Sequence, residues 1–181
     1  MLMWRTFFFA MIPMIGWAQA GPQPDMVSLK IALHEAGIIC APPTTGLSDA
    51  PGTVAGTTHL IDIEPAFVST KRRVPAVIGI GFGIKAQAAS PLGLPDITMS
   101  ISHPEMGKQR VELQTFGSSI SGTEKSLTFY QFDFDYELVT GFWQMEASQS
   151  DEILYRTTFE ILSPDQVPEL AQICGFENLL S

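Results

Sequence analysis

The sequence predicts an all-β fold, an antiparallel β-sandwich of about seven to eight strands that ends in a short C-terminal helix. Three observations support this class. Apolar and polar residues alternate with period two along most of the chain, as they do in half-buried strands. The alternating runs are short and are separated by Gly, Pro or Ser turns, which is typical of sandwiches. Helical periodicity occurs only near the C-terminus.

The first 20 residues predict a signal peptide. Arg5 precedes an apolar run, and Ala18-Gln19-Ala20 has the small-x-small form that signal peptidase accepts. We therefore expect cleavage after Ala20 and one domain over residues 21–181. The apolar run is shorter than the ~20 residues that span a bilayer. The expected product is periplasmic or secreted, with no membrane attachment after cleavage.

The charge balance is acidic, with 10 Lys and Arg against 19 Asp and Glu and a formal net charge of −9. The densest basic cluster is Lys71-Arg72-Arg73, which is typical of a solvated loop. Binding to polyanions depends on concentrated basic residues. We therefore expect no nucleic-acid partner.

Cys40 and Cys174 are the two cysteines of the chain. An even pair in an exported protein predicts a disulfide, which would join the two ends of the domain. Two buried free thiols are the alternative. Their spacing suggests neither a metal site nor a redox pair.

Strands are predicted in the following order. Alternation at Val27, Leu29, Ile31 and Leu33 predicts a first strand that extends toward Cys40. Residues 41–58 are rich in Pro, Gly, Thr and Ser and predict a long loop, after which a short strand covers residues 60–63. The strand predicted over residues 76–88 places four apolar side chains on one face, namely Ile78, Ile80, Phe82 and Ile84.

The second half of the chain continues the pattern. Short strands are expected around residues 97–101 and 111–113, and the aromatic run over residues 126–134 predicts a centrally buried strand. A hairpin with its turn at residues 149–152 follows, and its strands place Trp143 and Phe159 in the core. Helical spacing then predicts a short helix up to Cys174, ended by Gly175.

Three glycines, Gly79, Gly81 and Gly83, alternate within the strand predicted over residues 76–88 and strip one face of side chains. A phosphate-binding loop would need glycines at a strand-to-helix turn, and no helical pattern follows here. Two interpretations remain. Either a large aromatic residue such as Trp143 packs on the bare face, or these glycines form a binding face for a partner.

His103 and Met106, with Met99 nearby, offer imidazole and thioether ligands of the kind that suit copper. This is the one candidate metal site in the sequence. Met99 also fits a core position in its strand, and His103-Pro104 fits the end of a strand. No cofactor is predicted.

The residues do not form a catalytic signature. The histidines occur without a nucleophile-elbow pattern, and the paired acids lie beside an aromatic strand or in a turn, where solvated carboxylates are usual. The residues concerned are His34, His59, His103, Asp133, Asp135, Asp151 and Glu152. We therefore expect a protein that is not an enzyme.

Residues 136–143 (YELVTGFW) and 155–161 (YRTTFEI) look like the last two strands of immunoglobulin-like domains, with Tyr136 where a tyrosine corner would be. Together with residues 37–40 (GIIC) and 102–106 (SHPEM), they make the chain resemble an uncharacterised bacterial family of exported domains of unknown function, DUF3859-like. The resemblance implies an immunoglobulin-like fold and assigns no catalytic residues.

Two functional hypotheses follow. The first is an exported, non-catalytic binding or accessory module of the cell envelope that recognises a protein or peptide through a sheet edge or face. The second is a small-ligand or metal-binding periplasmic protein that uses the end loops near His103 and His59.

Overall fold

Eleven strands form three sheets in the computed structural model, which describes residues 21–41 and 44–180. The predicted signal peptide and its cleavage site lie outside the described residues. The strands are β1 Met26–Val27, β2 Ile31–Cys40, β3 Gly46–Asp49, β4 Thr57–Leu60, β5 Arg73–Pro75, β6 Ile80–Ala88, β7 Leu94–Met106, β8 Val111–Ile120, β9 Ser126–Gln131, β10 Gly141–Gln149 and β11 Glu152–Leu162.

The larger sheet has the order β1-β11-β10-β7-β8, with β5 also paired to β11, and the smaller sheet has the order β2-β6-β9. Strands β3 and β4 form a separate hairpin. All pairings are antiparallel except that of β5 with β11. The predicted all-β sandwich is confirmed, and the strand number exceeds the prediction because β1, β3 and β5 have only two to four residues.

The two sheets pack around Trp143, whose side chain is completely buried. Phe82 of the smaller sheet lies 5.8 Å from the Trp143 ring and 4.9 Å from the Phe159 ring, measured between centroids. The Trp143 indole nitrogen donates a hydrogen bond to the Val139 carbonyl at 2.9 Å. Trp143 and Phe159 therefore occupy the core, as the hairpin alternation predicts.

The C-terminal segment closes one end of the sandwich. It consists of three short 3-10 helices, Pro164–Gln166, Pro168–Leu170 and Glu177–Leu179, and the one-turn helix α1, Ala171–Cys174. Gly175 ends α1 in the left-handed region with φ of 76°, a conformation that favours glycine. A disulfide joins Cys40 at the end of β2 to Cys174, 134 residues away. None of the described helices is long and apolar enough to cross a membrane.

The strand predicted from the N-terminal alternation is wrong in its first half. The chain turns at residues 28–30, where the Ile31 amide bonds to the Ser28 carbonyl at 3.0 Å, and this turn separates β1 from β2. Leu29 lies in the turn and is 98% exposed. Alternation on its own did not reveal the break, because the turn residues keep the polar–apolar order.

The structure also corrects three local predictions. Residues 41–58, predicted as a loop, contain β3 and the start of β4, and the strand expected at residues 60–63 has already ended at Leu60. Ile78, expected in the core, is 46% exposed. It precedes β6 in a turn that is closed by a hydrogen bond from the Ile80 amide to the Val77 carbonyl.

We expect Trp143→Ala to lower the free energy of unfolding by about 3–5 kcal/mol, because it removes the largest side chain between the sheets. Urea unfolding followed by circular dichroism measures this change. The adjacent Phe142 is 53% exposed, so Phe142→Ala is the matched control, with an expected loss of less than about 1 kcal/mol. Equal losses in the two variants would contradict this assignment of the faces of β10.

Candidate functional site

The glycine face of β6 is covered by residues from the same chain. A Cβ atom built on Gly83 would lie 2.3 Å from the Thr128 carbonyl oxygen and 2.7 Å from Phe129 Cα. On the neighbouring strand, a Cβ on Gly37 would lie 2.5 Å from Phe67 Cγ. Aromatic packing therefore occupies this face, although the sequence prediction named the wrong residue, since Trp143 lies on the inner side of the sandwich.

Residues 61–70 lie between β4 and β5, and they cover the same face of the smaller sheet. Lys85 is 6% exposed, and its Nζ contacts Glu64 Oε1 at 2.5 Å and the Pro65 carbonyl oxygen at 2.6 Å. The same Nζ lies 4.8 Å from the centroid of the Phe67 ring. Gly81 is buried in the same face, whereas Gly79 precedes β6 with φ of +85°. The proposed binding face is therefore a packed contact at Gly81 and Gly83.

The two candidate metal ligands are buried, and His103 already has two hydrogen-bond partners. His103 is 5% exposed. Its Nδ1 lies 2.8 Å from the Pro104 carbonyl oxygen, and its Nε2 lies 3.0 Å from the Gln114 amide nitrogen. The Nε2 lone pair that a metal would need therefore accepts the Gln114 hydrogen bond. Met106 is buried, with its sulfur 3.9 Å from the Tyr130 hydroxyl.

Burial also keeps the His103 ring neutral. The ring lies 4.5 Å from that of Trp143, and desolvation lowers the pKa of His103 below its ordinary value despite the Pro104 hydrogen bond. Met99 is buried, and its sulfur lies 3.5 Å from the Tyr155 hydroxyl. Within residues 21–41 and 44–180, no three His, Cys, Asp or Glu side chains are grouped to hold a metal ion.

A cleft lies between the edge strands of the two sheets, β8 and β9, and the β3–β4 hairpin covers it. We call it the β8–β9 cleft. It contains a cavity of about 50 Å³. The polar side chains that line the cavity include His59, Gln114, Tyr130, Gln131, Asp133 and Glu137.

Asp133 organises one wall of the cavity. One carboxylate oxygen lies 2.6 Å from His59 Nε2, and the other accepts a hydrogen bond from the Gln131 side-chain amide at 2.9 Å. The His59 ring also stacks on Phe129, with ring centroids 6.3 Å apart. Two buried side-chain polar atoms in the described part of the chain have no hydrogen-bond partner, and they are His59 Nδ1 and Gln131 Oε1.

Glu137 anchors the inner end of the cavity and is 3% exposed. One of its oxygens accepts hydrogen bonds from the Asp133 and Phe134 amides at 2.6 and 3.0 Å, and the other accepts from the Tyr130 hydroxyl at 2.9 Å. Burial raises the pKa of Glu137 despite these three donors. Burial, reinforced by Glu137, also raises the pKa of Tyr130. The tyrosine therefore remains a donor at neutral pH.

Tyr136 does not occupy a buried tyrosine corner, contrary to what the resemblance implies. It is 39% exposed and stacks on Phe134 with ring centroids 5.3 Å apart. The cause is local. The short 3-10 helix Asp135–Glu137 directs Glu137 inward, and the neighbouring Tyr136 therefore faces outward.

Sequence reasoning treated His59 as a loop residue and Asp133 as a solvated acid, and it missed their pairing. They are separated by 74 residues, and the hairpin that carries His59 was predicted as a loop. A weak signal existed in the spacing of Gln131 and Asp133 at the end of the aromatic strand, because residues two apart in an extended chain point to the same side.

The basic cluster at residues 71–73 is balanced by acidic neighbours. The ion pairs are Lys71 with Glu169 at 3.7 Å, Arg72 with Asp25, and Arg73 with Glu160 at 3.8 Å. Each cationic side chain of the cluster therefore lies beside a carboxylate.

Two packed β-sheets around a buried tryptophan define an immunoglobulin-like β-sandwich. An immunoglobulin-like protein from Pseudomonas aeruginosa has a similar structure, with a TM-score of 0.50 and 17% sequence identity over 77% of this chain and 98% of that chain. A likeness at this identity shows the fold alone.

Residues 29–161 match the model of a domain of unknown function, DUF3859, and the chain belongs to this family. The family resemblance predicted from the sequence is thereby confirmed. No functionally curated protein matches the chain.

We expect Gly83→Ala to lower the free energy of unfolding by about 1–3 kcal/mol, because the added methyl group meets the backbone of β9. Gly117→Ala is the matched control in an edge strand, since a Cβ there has nothing within 4 Å, and we expect a change within about 0.5 kcal/mol. Urea unfolding measures both. A fully stable Gly83→Ala variant would show that the glycine face is open.

Proposed function

We propose that this domain is an exported binding module of the cell envelope that captures an extended segment of a partner protein at the edge strand β8. The observation that carries this proposal is the outer edge of β8. This strand has ten residues and contains no proline or lysine, two residue types that commonly protect sheet edges.

The β3–β4 hairpin covers the outer side of β8 at Thr115, so a captured segment that pairs along the whole edge has to displace this contact. The Thr115 amide donates to the Gly52 carbonyl at 3.0 Å across this edge. Successive residues of an antiparallel strand alternate in the side to which their backbone groups point, so the N–H and C=O of Leu113 and Gly117 also face outward. Among the described residues, Thr115 is the one β8 residue whose backbone amide donates to the β3–β4 hairpin.

Gly117 borders a groove beside this edge of the sheet. A Cβ at Gly117 would have no atom within 4 Å, and the residue lines a groove of about 170 Å³ together with His59 and Phe129. Strand addition takes its affinity from main-chain hydrogen bonds and its specificity from pockets for alternate side chains. The groove and the adjoining cavity supply such pockets.

The compartment is inferred from two features. Disulfides persist in oxidising environments such as the periplasm, and Cys40 and Cys174 form one. Residues 1–20 have the features of a signal peptide. Both support a location in the envelope or outside the cell.

Selection of peptides that bind the domain, from a random phage-display library, tests the capture mechanism. A bound peptide should slow hydrogen exchange at the Leu113 and Gly117 amides by about tenfold or more, because these amides become donors in a new ladder. Gly117→Pro removes one of these donors at a position where an edge strand tolerates proline, and it should abolish binding. Gly117→Ala keeps the donor and should bind normally.

Protection of amides elsewhere in the sandwich, with unchanged exchange along β8, would overturn the proposed binding mode. The same conclusion would follow if Gly117→Pro and Gly117→Ala bound the selected peptides equally well. Circular dichroism of both variants checks that the fold is intact.

Export is tested on the full chain expressed in a Gram-negative host. We expect the protein in the periplasmic fraction with Gly21 as its first residue, determined by intact mass. Ala20→Tyr should block processing, since signal peptidase requires a small residue there, while Gln19→Tyr changes the tolerant middle position and should be processed. Accumulation of the uncleaved wild-type chain in the cytoplasm would refute export.

A further inference from the structure

We propose that the cavity of the β8–β9 cleft binds a primary ammonium group. The group would come from a free amine or from a lysine side chain of the segment captured at β8, and this second source rests on the proposed function. The cavity shares His59 and Phe129 with the groove beside Gly117. A side chain of a segment on β8 therefore lies within reach of the cavity.

The hydrogen-bond pattern leaves two acceptors without donors. The Asp133 carboxylate accepts at both oxygens, which requires N–H groups from His59 Nε2 and from the Gln131 amide nitrogen. When the His59 ring holds one proton, at Nε2, its lone pair lies at Nδ1, and Gln131 presents its carbonyl oxygen. Both atoms are buried without a partner, and buried polar atoms in native proteins are rarely left so. A group that satisfies both acceptors has to be a donor.

Charge favours a cationic donor. Asp133 and Glu137 line the cavity, and its lining contains no lysine or arginine. Among the described residues, Asp133 has no lysine or arginine partner, and its one close basic neighbour is His59. A primary ammonium supplies both a positive charge and up to three N–H donors.

Size and access fit the same group. The cavity volume of about 50 Å³ has room for one polar head group, because a cavity of roughly 10–15 Å³ already holds a water molecule. The His59 and Asp133 side chains are 20% and 28% exposed, so the cavity is reached from the surface. The Phe129 and Phe116 rings that also line it provide apolar contact for an alkyl stem.

A bound water is the rival occupant, because its two O–H donors would also satisfy His59 Nδ1 and Gln131 Oε1. The two occupants differ in their response to added amine. A site that holds only water does not discriminate between n-butylammonium and tetramethylammonium, which has the same charge and no N–H donor.

The test is an NMR titration of the full mature chain with n-butylammonium chloride, followed at the His59 ring and the Gln131 side-chain amide. We expect saturable shifts with a Kd on the order of 10 mM, and none with tetramethylammonium. Gln131→Met removes one acceptor of a charged donor and should weaken binding about tenfold. Gln149→Met removes an amide near Pro95 and should not change binding. His59→Phe keeps the ring stack and should abolish binding.

A second arm distinguishes the sources of the ammonium group. If a lysine of the partner enters the cavity, replacing it by norleucine in a β8-binding peptide should weaken binding about tenfold in the wild type. The replacement should change little in Gln131→Met. Equal binding of both peptides, with saturable n-butylammonium binding, would assign the site to free amines.

Two results would overturn the proposal. They are the absence of n-butylammonium shifts up to roughly 100 mM, and equal shifts with tetramethylammonium. Peptide capture at β8 is measured separately by hydrogen exchange, so failure of the ammonium site and failure of the capture mechanism are distinguishable.

Discussion

The contact of Phe82 with Trp143 and Phe159 is the interaction on which the rest of the structure depends. The sheets are of unequal width, and these rings are where the smaller one meets the centre of the larger one. Aromatic residues bury large areas and pack in tilted or edge-on pairs, as they do here. Because this contact fixes the separation of the sheets, it also fixes how far apart the edge strands β8 and β9 lie. The β8–β9 cleft is a consequence of that spacing.

The cleft shows how a polar site is built beside an apolar core. Tyr130 belongs to both, since its ring lies 5.0 Å from Trp143 and its hydroxyl bonds to Glu137. Glu137 in turn holds the backbone of Asp133, which positions His59. A change in core packing would therefore reach the cavity through three side chains. This connection links the stability of the domain to the geometry of its candidate site.

The parts of the fold that the sequence predicted are those set by local periodicity. Alternation identified the β10–β11 hairpin, its turn, and the burial of Trp143 and Phe159. Positions set by tertiary contacts were missed. Leu29 continues the alternation yet lies in a turn, and the hairpin that carries His59 has the composition of a loop. The partner of Asp133 is 74 residues away, and no local pattern encodes such a distance.

The disulfide between Cys40 and Cys174 determines what remains of the domain after a protease cuts it. It closes residues 41–173 into a covalent ring, so one cut in an exposed turn opens the ring without releasing a fragment. The turn at Ser150 and Asp151 is one such place, since it joins two long strands at the surface. After cleavage there, the strands on both sides remain attached through the bridge and through their hydrogen bonds. A nicked molecule is thus still one molecule, and it keeps the edge strand and the cleft together.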